Sequence, residues 1–212
     1  MSLTAQLPAS TPQKDSASGE QPEKHGKPAE IATLPHAHSL REGWRAFLLD
    51  TLEMFKLRVT TMVVMTAWAG YYLGAMQSRI ASLSDGFNPT MRDTLIGVAL
   101  VSCGSSVLNQ VFERRSDARM LRTAQRPLAA GRLGLPYSVL VGILAIVAGS
   151  VWLMVRTNPI TGTLTLLTAV MYVGIYTPLK RVTTLATFVG AFPGAMPPLI
   201  GWTAARGSIE WP

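Results

Sequence analysis

The stretch TLIGVALVSCGSSVLNQVFERRSD, residues 94–117, decides how this chain is read. As far as Leu108 it is apolar or small. Then Asn109, Glu113 and Asp117 follow at intervals of four, with Arg122 and Arg126 just beyond. A spanning helix needs ~20 apolar residues for a ~30 Å hydrocarbon core, and the run 94–112 comes close to that length. Each step of four advances a helix by about 400°, so the three polar residues drift only ~40° per step and share one face. Acids and arginines at a membrane edge are costly unless they bind something. An unpaired amide at Asn109, inside the apolar part, is also expensive. The stretch predicts a membrane helix that ends in a site.

Four more apolar runs lie around it, at 59–76, 138–155, 160–179 and 184–205. Together they predict an all-α polytopic transmembrane bundle with about five spanning helices. Only RTNP separates the third run from the fourth, which predicts a tight antiparallel hairpin. Pro193, Pro197 and Pro198 lie inside the last run, where they would bend a helix. A membrane bundle tolerates this when neighbours satisfy the freed carbonyls. Gly70 and Gly74 form a GxxxG pair suited to close helix contact.

The composition agrees. Of 212 residues, 48% are hydrophobic and only 15% charged, against about 25% in a soluble domain. The net charge of +7 would suit a nucleic-acid binder, but the charges fall between apolar runs, so no nucleic-acid partner is expected. The single cysteine, Cys103, excludes an internal disulfide and reads as a buried small hydrophobe. Residues 1–43 are rich in Ser, Thr, Pro, Gly, Lys and Glu and read as a disordered tail, cytoplasmic under the orientation that follows. No signal peptide begins there. His36 and His38 fall in this tail, where a metal site is not expected. Basic residues set the orientation. With the N-terminus in the cytoplasm, Lys56, Arg58, Arg114, Arg115, Arg119, Arg122, Arg126, Arg132, Lys180 and Arg181 all lie inside, against Arg79, Arg92, Arg156 and Arg206 outside.

Asn109, Glu113 and Asp117 offer hard oxygens on one face. Mg²⁺ usually takes one or two carboxylates plus phosphate oxygens and water. Arg122 and Arg126 could clamp phosphate oxygens bidentately. Alternatively this is a solvated helix end whose acids pair with Arg114, Arg115 and Arg119. A second row, Tyr172, Tyr176 and Lys180, repeats the spacing at the cytoplasmic end of the fourth run. Read alone, it is a positive-inside anchor beside an interfacial aromatic, and Pro178 disturbs its shared face. Read together, the two rows could hold magnesium and a diphosphate above apolar walls, which suits a ligand with an anionic head and a long greasy tail. Neither G-x-x-x-x-G-K-[ST] nor G-x-G-x-x-G occurs, and no Ser-His-Asp or Cys-His set presents itself.

NQVFERRSDARMLRTAQRPLAAGR resembles the first acidic motif of the UbiA superfamily of intramembrane prenyltransferases, most closely the protoheme IX farnesyltransferase (heme O synthase) subfamily. KLRVTTMVVMTAWAGYYLG is similar to the subfamily's first helix, YTPLKR to its Tyr-x-x-x-Lys motif, and FVGAFPGAMPPLIGW to its fifth helix. The resemblance runs from about Lys56 to Trp202. It implies that a Mg²⁺-bound farnesyl diphosphate loses diphosphate, that a vinyl group of heme b attacks the allylic cation, and that water supplies a hydroxyl, giving heme O. It assigns Asn109, Glu113 and Asp117 to the metal-diphosphate and to catalysis. It assigns Lys180 to catalysis and, with Tyr176, to binding or releasing diphosphate. It assigns Arg122 and Arg126 to orienting diphosphate or heme propionates. It also implies the inner (plasma) membrane, and heme A synthase or oxidase assembly factors as partners. Glu113 stands where many members have Asp. The superfamily has about nine spanning helices and a second acidic motif after the fifth, so 44–212 reads as the N-terminal part of the domain, and these residues alone are not expected to turn over. An aromatic-acceptor (4-hydroxybenzoate-type) prenyltransferase and a non-catalytic membrane remnant are the competing readings.

Overall fold

Asn88 opens the longest helix. Its side chain accepts a hydrogen bond from the Thr90 amide at 3.0 Å, and Pro89 stands where a helix needs no amide donor. The computed structural model describes residues 40–77 and 88–208. The expected tail with His36 and His38, and Arg79, lie outside those residues, apart from the first residues of helix α1.

The helices are α1 (Leu40–Met54), α2 (Leu57–Gln77), α3 (Pro89–Asp117), α4 (Leu135–Arg156), α5 (Pro159–Val170), a π-helical turn (Met171–Tyr176), α6 (Thr177–Leu179) and α7 (Ala186–Arg206). No strand occurs among the described residues. Helix α1 begins inside the stretch read as tail. Its Trp44, Phe47, Leu48 and Leu52 follow helical spacing on an exposed face. Charged neighbours interrupt that pattern in the sequence. Asp50 turns inward and accepts from Arg132 at 3.0 Å.

Three helices are long and apolar enough to cross a membrane: α3, α4, and α5 continued through α6. Helices α2 and α7 also reach 21 residues each. Thr, Tyr and Gly dilute α2, and Gly and Pro dilute α7. Those small residues serve their mutual packing. A Cβ on Gly201 would sit on the Ala67 carbonyl, and one on Gly70 on the Pro198 carbonyl. Gly74 faces Trp202 and Ala205, so the expected GxxxG contact is made. The α3–α4 pair uses the same device at seven-residue intervals. A Cβ on Gly104 would lie 2.6 Å from the Gly142 carbonyl oxygen, and one on Gly149 would lie 2.8 Å from that of Gly97. All three prolines are carried inside α7 without interruption. Cys103 is half-buried and not fully enclosed, and its sulfur lies 3.7 Å from the Thr60 hydroxyl.

Ion pairing pins the bundle at the end opposite the acidic row. Asp93 is 3% exposed and accepts from Arg156 at 3.1 Å, while Arg92 stands off at 3.7 Å. Asn158 caps α5 through the Thr161 amide and donates to the Thr203 carbonyl of α7. Arg156→Ala strands the Asp93 carboxylate and is expected to cost about 1–3 kcal/mol. Thermal unfolding in detergent should show it melting well below Arg92→Ala.

Candidate functional site

The last turns of α3 carry the predicted row, with Asn109 2% and Asp117 6% exposed and Glu113 half-buried. A cation meets each of the three. Lys56 Nζ donates to Asn109 Oδ1 at 3.2 Å, Lys180 Nζ lies 2.5 Å from Glu113 Oε1, and Arg126 Nη1 lies 2.7 Å from Asp117 Oδ2. Among the described residues neither carboxylate pairs with Arg114, Arg115 or Arg119. The helix end therefore draws these cations from three separate segments, the α1–α2 turn, the loop after α3 and the residues after α6. The Asn109 amide also donates to Thr177 Oγ1 at 3.2 Å, and Thr177 in turn donates to the Tyr172 carbonyl.

The loop after α3 is shaped to return Arg126. Thr123 donates its hydroxyl to the Asp117 carbonyl at 3.1 Å. Pro127 is fully buried, and Leu128 joins Met54, Val107 and Leu133 in an apolar cluster. Gly131, at φ +73°, lets the chain turn toward α4. The RPL string thus roots the loop, and the guanidinium beside the root reaches the acid. Arg122 is different. It is exposed and has no hydrogen bond or ion pair among the described residues, so the structure brings Arg126 to the row but not Arg122.

The second row sits on the π-helical turn. Pro178 has no amide to offer Gly174, and its ring would crowd that carbonyl in a regular helix. The chain widens instead, with the Thr177 amide reaching back to Tyr172. The row survives the change. Tyr172 and Tyr176 stack at 5.6 Å, and Lys180 Nζ lies 5.3 Å from the Tyr176 ring centroid. Gly190 of α7 makes room for that ring, since a Cβ there would lie 2.6 Å from Tyr176 Cε2.

A cavity of about 400 Å³ opens beneath, between α2, α3, α5 and α7. Val63, Val98, Val101, Pro197 and Ile200 are among its apolar walls, and Tyr172 and Tyr176 form its upper rim. Ser102, Ser105 and Ser106 are its polar exceptions on α3. The arrangement is a charged cap over a greasy chamber of ligand-binding size.

The sequence model of the UbiA prenyltransferase family matches residues 61–212, most of the chain and all of the chamber's lining except Val59. The chain belongs to that family. Relatives of this UbiA chain include the protoheme IX farnesyltransferase of Koribacter versatilis (strain Ellin345), 45% identical over 171 residues, which are 81% of this chain and 54% of that protein. The mitochondrial protoheme IX farnesyltransferase of Arabidopsis thaliana is 35% identical over 183 residues, 86% of this chain and 39% of that one. The human mitochondrial protein of the same name is 38% identical over 160 residues, covering 74% and 34%. The chain spans about half the length of the bacterial relatives it matches. No solved structure matches it significantly.

The donor set fits the Mg²⁺ that UbiA membership suggests. Among the described residues no group of three or more His, Cys, Asp or Glu gathers to hold a metal alone. Two carboxylates and an amide oxygen suit an ion whose remaining positions go to phosphate oxygens and water. The motif reading missed Lys56, Thr177 and Gly190. Thr177 and Gly190 carry no spacing signal. Lys56 was legible only as a flanking charge. Burial pulls the Lys56 pKa below its ordinary value and Arg126 adds to this, while Glu113 and Asp117 oppose it.

Proposed function

We propose that this chain provides the head-group site and tail chamber of an enzyme that transfers the farnesyl group of farnesyl diphosphate to a vinyl group of protoheme IX (heme b), making heme O. The observation that carries this reading is the placement of the Asn109–Glu113–Asp117 row, with its three cations, directly above the apolar chamber. The names of the relatives supply the acceptor. Arg126 and Lys180 would turn to the diphosphate and stabilise the charge that builds on it as it leaves. Asn109, Glu113 and Asp117 would hold Mg²⁺, which when bound neutralises the leaving diphosphate. Apolar walls would keep water from the allylic cation until the acceptor attacks. Arg122, exposed beside the cap, is free to meet a heme propionate.

The cap end gathers Lys56, Arg58, Arg114, Arg115, Arg119, Arg126, Arg132, Lys180 and Arg181, and positive residues favour the cytoplasmic side. We therefore place the cap at the cytoplasmic face of the inner (plasma) membrane, with the N-terminus on that side. Heme A synthase or oxidase assembly factors would receive the product.

The test supplies membranes carrying the full gene product with farnesyl diphosphate, Mg²⁺ and either heme b or 4-hydroxybenzoate. Farnesylated heme is the expected product. Prenylated 4-hydroxybenzoate in its place would move the assignment to an aromatic acceptor.

A further inference from the structure

Lys56 belongs to neither polar row, yet the structure places it in the cap. It lies between α1 and α2 with φ +46°, in the left-handed region. Helix ends commonly use that conformation, but with glycine, because a Cβ is disfavoured there. A lysine kept against the local preference marks a position held for its side chain. The turn is firmly built. The Lys56 amide bonds back to Glu53 of α1 at 3.2 Å, and its carbonyl accepts from Val59 and Thr60 as α2 begins.

The charges of the cap do not balance. Lys180 and Arg126 already match the two carboxylates of Glu113 and Asp117. Among the described residues the Lys56 side chain hydrogen-bonds only the neutral oxygen of Asn109, with Glu113 and Asp117 acting on it from further off. Of the groups that touch the row, three cations therefore face two anions, and the unmatched one is the half-buried Lys56. Such a surplus favours an anion. Asn109 Oδ1 is also the oxygen the donor set needs for a divalent ion, and a cation already covers it.

We propose that Lys56 is an anion-binding residue of this cap. It swings from Asn109 to a diphosphate oxygen when ligand enters, and so uncovers Asn109 for the accompanying divalent ion. The inference rests on reading the cap as a prenyl diphosphate site and adds a residue outside that site's motifs. It follows that metal and diphosphate arrive together, each removing an obstacle to the other.

The experiment is isothermal titration of inorganic diphosphate with Mg²⁺ into the full chain in detergent. It compares wild type with Lys56→Asn, since asparagine tolerates the left-handed backbone, and with Lys56→Arg. Lys56→Asn should bind about tenfold more weakly, the loss of one charge-assisted hydrogen bond. Lys56→Arg should stay within about threefold of wild type. Should Lys56→Asn unfold early, Lys56→Gly relaxes the turn and gives the same comparison on folded protein. Equal affinity of wild type and the uncharged variants overturns the inference and leaves the diphosphate reading standing. Failure of wild type to bind diphosphate at all removes both.

Discussion

Asp117→Asn, made in the full gene product, is expected to lower prenyl transfer by about 10²–10³-fold while the protein still inserts and folds. Asp117 stands at the end of α3, its side chain 8% exposed and 2.7 Å from Arg126. Asparagine keeps the volume and one acceptor oxygen for Arg126, so the loop after α3 keeps its root on Pro127 and Leu128. The change removes one of the row's two negative charges, and with it a ligand suited to a hard divalent ion. Membrane fractionation and melting in detergent should be near wild type, and product formation should fall steeply. Transfer at an undiminished rate would withdraw the metal role from the row.

Gly201→Leu is expected to prevent assembly of the bundle. A Cβ at Gly201 already collides with the Ala67 carbonyl, a backbone atom that no rotamer can move aside. Ordinary overpacking costs about 1–3 kcal/mol, and a forced separation of α2 from α7 should exceed that range. Separating them also removes Val63, Pro197 and Ile200 from one another across the chamber, so the greasy walls go with the fold. The readout is aggregation on size-exclusion chromatography in detergent. Gly194→Ala, where a Cβ meets nothing within 4 Å, should elute as wild type does.

Much of this architecture was legible because membranes impose strong patterns. Apolar length marks α3, α4 and α5 in the sequence, and a polar row inside apolar surroundings marks the candidate site. Helices α2 and α7 have the length as well, and their glycines and prolines are kept for close approach to each other. Helix α1 was hidden because its apolar stripe is narrow and interleaved with charge. Pro178 signalled a disturbance, but only backbone geometry could show that the helix widens and keeps Tyr172, Tyr176 and Lys180 in line. The row on α3 could be read as a candidate site with Arg126 and Lys180 beside it, yet the pairing of those two cations with Asp117 and Glu113, and the place of Lys56, could not. Lys56, Arg126 and Lys180 lie far from Asn109 and Glu113 in sequence, or beyond a loop, and meet them only through packing. Lys56 was the hardest to see, since it occupies a backbone conformation its residue type disfavours.

The small apolar cluster under the cap has a further consequence. Met54 ends α1 two residues before Lys56, and Leu128 follows Arg126 by the same interval; both are buried against Val107, two residues before Asn109. Gln110 ties the Met54 carbonyl to α3 at 2.8 Å. Two of the three cations and the row they serve are thus mounted on one greasy footing. A change of shape in that footing, with no charge altered anywhere, would detune the electrostatics above it.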